Sequence, residues 1–174
     1  MSESARLAPV IVAAEIGTAD FAWLDRLRRE HFPADRNQVP AHITMFHHLP
    51  PSLLGELDSR LRAEVRCTKR PTATIGDPML FGHGVALRVR CLALDAIRER
   101  LVKAFMGMLM PQDVAAWRSH VTIQNKVEPA VARRLHAELM EAIPHPRPLR
   151  IAGLATFHYR GGPWEPIARY RFAG

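Results

Sequence analysis

Two histidines stand two residues ahead of a threonine in segments that are otherwise apolar: His42 and Thr44 in AHITMFHHLP, His120 and Thr122 in SHVTIQNKV. An imidazole titrates near ~6.5 when unperturbed, so around neutral pH one ring can accept a proton while a second donates one. Such a pair performs general acid–base chemistry without a metal. Hydroxyls beside the rings, with nearby backbone groups, suit the non-bridging oxygens of a tetrahedral anion. A phosphodiester, most naturally a cyclic one, fits between them. His42 and His120 are therefore the candidate catalytic residues, and Thr44 and Thr122 the candidate phosphate ligands.

The two segments superimpose without a gap at an offset of 78 residues. His42 falls on His120, Ile43 on Val121, Thr44 on Thr122, Met45 on Ile123, and farther on Pro51 on Pro129, Leu57 on Leu135 and Leu61 on Leu139. One strand-then-helix unit is used twice, at about residues 41–66 and 119–143. Strand alternation puts His42, Thr44 and Phe46 on one face and Ile43 and Met45 on the other; His120, Thr122 and Gln124 share the corresponding face of the second copy. A pseudo-two-fold arrangement would bring the two polar faces together across a groove.

The elements that must hold these faces are legible from periodicity and punctuation. PVIVAAEI (9–16) reads as a strand, and TADFAWLDRLRREHF reads as a helix capped by Thr18 with Phe21, Leu24 and Leu27 on one face. Prolines open a second helix in PPSLLGELDSRLRAEV, with Leu53, Leu54, Leu57 and Leu61 on one side. TATIGDPMLFGHGVALRVR reads as two strands joined through Gly76 to Pro78, with a kink at GHG. Residues 92–110 are helical in pattern and end at Pro111. After the second histidine strand come a helix over 129–143, a linker PHPRP, and a hairpin built from LRIAGLATFHYR and WEPIARYRF around a glycine turn. Mixed helices and hairpins predict an α+β fold rather than a doubly wound parallel sheet.

A chain of 174 residues suffices for one domain with its own core. Cys67 and Cys91 form no Cys-x-x-Cys pair, so neither zinc ribbon nor disulfide framework is indicated, and a reducing cytoplasm suits them. No secretory cleavage pattern follows the first apolar run, and no membrane span is expected. The net charge of +7 favours an anionic partner, although only three of the 24 basic residues are lysines, so arginine-rich coding accounts for much of the excess.

HITMFHHL and HVTIQNKV resemble the paired His-x-Thr motifs of the two-histidine phosphoesterase superfamily, which includes the LigT-like 2′-5′ RNA ligase proteins and cyclic phosphodiesterases. VPAHITMFHHLP, LFGHGVAL, PQDVAAWRSHVTIQNKV and YRGGPWEP are similar, in that order, to segments of its bacterial branch. The resemblance implies a bilobal α+β domain over residues 1–174, in which two pseudo-two-fold related lobes of antiparallel sheet with outer helices enclose a central groove. It also implies metal-independent cleavage or formation of bonds at 2′,3′-cyclic phosphates, with His42 and His120 catalytic and Thr44 and Thr122 on the phosphate. RNA ends or small cyclic nucleotides are the expected partners, with no cofactor, no metal, no membrane and a monomeric state. Which histidine is acid and which is base stays open.

Each remaining candidate has a plainer reading beside it. Phe46 could stack on a base or pack in the core; Gln124 could contact a ligand or bond to backbone. Tyr159, with Arg160 and Trp164 around RGGPW, could flank a nucleotide or form ordinary cross-strand pairs. His83 between glycines reads as a kinked strand, and His47, His48, His136, His145 and His158 have no duplicated counterpart. The motif strands carry no carboxylate between His and Thr, which argues against a hydrolytic metal site, and no P-loop supports triphosphate-driven ligation. The rival to an enzyme is a non-catalytic RNA- or nucleotide-binding module using the same groove.

Overall fold

In the computed structural model, which describes residues 8–174, the β-branched run after Pro9 forms β1 (Val10–Ile16), and the chain turns at Gly17 into helix α1 (Thr18–His31). Gly17, not Thr18, takes the cap position, its carbonyl accepting from the Phe21 N–H at 2.8 Å. The stretch ahead of Ala8, read above for targeting signals, lies outside the described residues. Then follow β2 (Ile43–Leu49), a 3-10 turn at Pro51–Leu53, α2 (Leu54–Cys67), β3 (Thr72–Phe81), β4 (Gly84–Arg90), α3 (Leu92–Ala104), a short α4 (Pro111–Val114), β5 (His120–Gln124), α5 (Pro129–Ala142), β6 (Arg147–His158) and β7 (Glu165–Arg171).

Two expectations shift. Residues 76–78 do not separate two strands: β3 runs through them with one extra residue, its pairing with β4 jumping from Ile75↔Val89 to Pro78↔Leu87. A bulge leaves a backbone group out of the ladder, which is where a proline without an N–H fits. The helix expected over 92–110 stops at Ala104: the cap residue Phe105 already leaves helical geometry at φ -106 and ψ 20, Gly107 then turns the chain at φ 86, and Pro111 begins the next helix instead of ending this one.

The fold is α+β, and every ladder between the named strands is antiparallel. The strand order is β2-β1-β6-β3-β4-β5, with β7 also on β6. The long β6 serves both halves of the sheet: Arg147–Arg150 pair with β3, while Ile151–His158 pair with β1 and Gly153–His158 with β7. The helices bury apolar stripes in the core, with Leu57, Leu61 and Val65 of α2, Leu94, Ile97 and Leu101 of α3, and Ala132, Leu135 and Leu139 of α5 all buried. Each buried leucine contributes roughly 1.5–3 kcal/mol.

Connectivity repeats between the halves: β1-α1-β2-α2 in the first, β4-α3-β5-α5 in the second, with α4 inserted before β5. β2 and β5, the outermost strands of the two halves, are brought into contact with each other although no ladder joins them. Close approach of β5 to β4 depends on Gly84, where an added Cβ would run into the Gln124 carbonyl and come within 2.8 Å of the Asn125 Cα. Both obstacles are backbone, so Gly84→Ala must displace the end of β5. We expect destabilisation of about 1–3 kcal/mol in urea unfolding; a wild-type midpoint would contradict this account of the strand.

Candidate active site

Each histidine strand carries the same irregularity at the same place. Thr44 pairs with Ala13 and Phe46 with Val12; Thr122 pairs with Ala86 and Gln124 with Val85. Two residues on the histidine strand therefore oppose one on its neighbour, making bulges at Met45 and Ile123. An extra residue reverses the alternation beyond it. His42, Thr44, His120 and Thr122 remain part-exposed, whereas Phe46 is fully enclosed in the core and Gln124 is 3% exposed. Phe46 thus takes the core position that the sequence left open, with no surface for stacking on a base, and Gln124 likewise turns inward. Tyr159 is exposed just past the end of β6, its N–H bonded to the Pro9 carbonyl.

The two rings are anchored identically. His42 Nδ1 lies 2.7 Å from the Pro40 carbonyl and His120 Nδ1 lies 2.6 Å from the Arg118 carbonyl, two residues back in each case. A carbonyl oxygen only accepts, so both Nδ1 atoms carry hydrogen and both Nε2 atoms are left for chemistry. Trp164 packs on His42 with ring centres 4.4 Å apart and rests in turn near Phe157 at 5.4 Å. Burial pushes the His42 pKa down to about 4; the bond to Pro40 opposes this, and the charges of Arg28, His120 and His47 reinforce it. The His42 ring is consequently neutral across the physiological range and within electrostatic reach of His120.

What fixes one strand against the other is a set of side chains outside the two His-x-Thr motifs. Arg28 of α1 reaches into the other half and donates through Nη1 to the Thr122 carbonyl at 2.9 Å, while its Nε donates to Asn37 Oδ1 at 2.8 Å. Arg98 of α3 crosses the opposite way, donating from Nε to the Met45 carbonyl at 2.9 Å and from Nη2 to the Asp113 carbonyl at 2.7 Å. Trp117 Nε1 donates to the Thr44 carbonyl at 3.0 Å. Both arginines are buried. Burial lowers the Arg28 pKa to about 10, with Asp25 opposing, and draws Arg98 below its ordinary value, with Asp113 opposing; at about 10 Arg28 remains a cation at neutral pH.

A sequence signal for this pair exists. LDRLRRE (24–30) and LDAIRER (94–100) share Leu-Asp-x-(Leu or Ile)-Arg at an offset of 70 residues, eight short of the strand offset. The eight additional residues of the second copy accommodate α4. Its Asp113 is buried and accepts the His47 N–H at 2.8 Å, the His48 N–H at 2.9 Å and His47 Nδ1 at 3.1 Å. Burial would raise the Asp113 pKa, but these donors hold it below the ordinary carboxylate value. His47 thus belongs to a clasp between α4 and β2.

A cavity of about 620 Å³ opens beside His42, lined among others by Ala13, Ala155, Phe157, Trp164, Arg169 and Arg171. Among the described residues no group of three or more His, Cys, Asp or Glu is arranged to hold a metal ion, and no helix is long and apolar enough to cross a membrane.

A family model for the 2′-5′ RNA ligase superfamily matches residues 17–163. Solved structures share the fold over nearly the whole chain. TT0787 of Thermus thermophilus is 15% identical, covering 95% of this chain and 98% of its own, with a TM-score of 0.65. E. coli LigT complexed with 3′-AMP is 16% identical, with coverages of 97% and 99% and a TM-score of 0.57. A protein described as a phosphoesterase is 18% identical, with coverages of 96% and 99% and a TM-score of 0.55. No curated protein sequence matches.

Two outcomes follow from the neutral, covered His42. Trp164→Ala opens the ring to water, so an NMR titration should find the His42 pKa raised from about 4 toward ~6.5; an unmoved titration contradicts burial as its cause. Between these two values the unfolded chain binds a proton that the folded chain refuses, so stability falls as pH is lowered from ~6.5 toward 4. Urea unfolding at pH 7 and pH 4.5 should show this loss in the wild type, and less of it in His42→Ala.

Proposed function

The chain belongs to the 2′-5′ RNA ligase superfamily, and from that premise we propose that it is a metal-independent phosphodiesterase acting on 2′,3′-cyclic phosphates, at RNA ends or in small cyclic nucleotides. The observation that carries this reading is the matched pair of Nδ1–H bonds, which leaves two equivalent Nε2 atoms on strands in contact. His42 is assigned the base, because a ring whose pKa is lowered to about 4 is in the unprotonated form a base needs at neutral pH. His120 is then the acid.

In the forward reaction a water attacks phosphorus in line with one ribose oxygen, losing its proton to His42 Nε2 as the new P–O bond forms. His120 Nε2 protonates the departing ribose oxygen as the old bond breaks, leaving a phosphomonoester and a free hydroxyl. The Thr44 and Thr122 hydroxyls donate to the non-bridging oxygens as their charge grows. Proton exchange with solvent restores both rings. With a 5′-hydroxyl in place of water attacking the same cyclic phosphate, and His120 protonating the departing 3′ oxygen, the product is a 2′-5′ linkage formed without ATP.

The test is turnover of a 2′,3′-cyclic nucleotide in EDTA. The wild type should hydrolyse it, while His42→Ala and His120→Ala each lower kcat by about 10²–10⁴-fold, and Thr44→Val or Thr122→Val give smaller losses. The wild-type kcat/KM should fall as pH drops through about 4, where His42 becomes protonated. A wild type that binds the nucleotide without turnover makes the chain a binding module; activity lost in EDTA and restored by a divalent ion makes it a metallohydrolase.

A further inference from the structure

The cavity beside His42 extends well past the ring. Sheet register carries a row from Thr44 across Ala13 and Ala155 to Arg169, and the adjacent row crosses Glu15 and Gly153 to Arg171. Three strand spacings, ~14 Å in all, separate the histidine strand from the arginine strand, less the reach of the side chains. The floor between them is Ala13 and Ala155, the walls include Phe21, Phe157 and Trp164, and Arg70 joins the two β7 arginines at the rim. Small floor residues between aromatic walls leave room for a ring system, and the volume lies in the range of small-molecule sites.

Charge at the far end is unbalanced. Glu15 takes Arg169 at 2.7 Å, but the side chains of Arg70 and Arg171 make no hydrogen bond or ion pair among the described residues. Two exposed guanidinium groups thus face one cavity without a carboxylate of their own. Planar, forked donors bind the oxygens of a phosphate or carboxylate bidentately, and beside a groove suited to one phosphate a second phosphate is the matching anion. Arg169 and Arg171 also lie beyond residues 17–163, the stretch that the family model matches, so membership of the superfamily assigns them nothing.

We propose that Arg171 and Arg70, with Arg169 beside them, form a second anion subsite that selects nucleotides carrying a phosphate on the 5′ side of the nucleoside whose 2′,3′ phosphate sits between the imidazoles. The nucleoside spans the alanine floor against Trp164 and Phe157. This rests on the phosphodiesterase reading of the histidine groove and adds a requirement to it: a lone nucleoside cyclic phosphate fills half of the site. The 5′ phosphate can belong to an RNA chain or to a free bisphosphate nucleotide, and the chemistry recognised is the same.

Equilibrium binding by calorimetry tests this without relying on turnover. The ligands are adenosine 3′-monophosphate, adenosine 3′,5′-bisphosphate and the dinucleotide ApA with a 3′-phosphate. The wild type should bind the bisphosphate about tenfold more tightly than the monophosphate, an advantage that shrinks as salt is raised. In Arg171→Ala the advantage should drop to about two- or threefold, and in Arg70→Ala/Arg171→Ala it should vanish; an unchanged melting temperature shows that both variants fold. A dinucleotide that shares the advantage identifies an RNA end as the ligand, and one that lacks it identifies a free nucleotide; either supports the subsite. Equal wild-type affinity for mono- and bisphosphate, an advantage that survives in the double variant, or no binding of any ligand overturns it. Absent turnover alongside an intact bisphosphate advantage would remove the hydrolytic reading and leave this one standing.

Discussion

The arrangement of this protein depends on how two open strand edges are brought face to face without pairing. Among the described residues β2 forms a ladder only with β1 and β5 only with β4, so each presents backbone carbonyls outside any ladder to the other. Joining them in a ladder would close the groove; leaving them bare would bury unsatisfied acceptors, at about 1–3 kcal/mol each. Arg28 and Arg98 resolve this by crossing in opposite directions, each from the helix of one half to a carbonyl of the other half's histidine strand. Trp117 supplies a third donor at Thr44. The two halves are thereby held at a separation set by side-chain length.

Such bolts are costly to bury and justified by position. A guanidinium taken out of water loses hydration that two or three hydrogen bonds only partly replace. Aromatic faces return some of this, since Arg28 lies 4.3 Å from the Phe32 ring centre and Arg98 lies 5.0 Å from Phe46 and 5.4 Å from Trp117. The placement of Phe46 inside the core therefore has a purpose in the site: it supports the arginine that holds its own strand. The same bolt acts on the chemistry, because the Arg28 charge helps keep His42 neutral.

The bulges explain how a short strand can present the proposed catalytic side chains and still pack into the core. Before the bulge, His and Thr face the groove; after it, Phe46 or Gln124 faces inward. Strict alternation would have put an apolar phenyl ring into a polar groove in one copy. That both copies break register at the same position ties the reversal to the repeated unit and not to either sequence alone, since Phe and Gln have nothing in common but their place. Gln124 is the less settled of the two, with its Oε1 buried and without a hydrogen-bond partner among the described residues.

The linear chain alone carries the α+β class and, as correspondences within the sequence, the alignment of His42 with His120 and of Thr44 with Thr122 in a strand-then-helix unit, because each is expressed in local spacing and in a constant internal offset. The boundary errors at Thr18, at residues 76–78 and after Ala104 arose where one glycine or one bulge outweighed a longer pattern. The fates of Phe46 and Gln124, the cover of Trp164 over His42, the crossing of Arg28 and Arg98, and the cavity ending at Arg171 were decided only by tertiary structure. Each depends on contacts between residues far apart in the chain: a bulge is a mismatch between two strands, and a pKa shift is the summed effect of burial and charge from several elements. Periodicity reports which face a residue occupies within its own element, and is silent on what that face will meet.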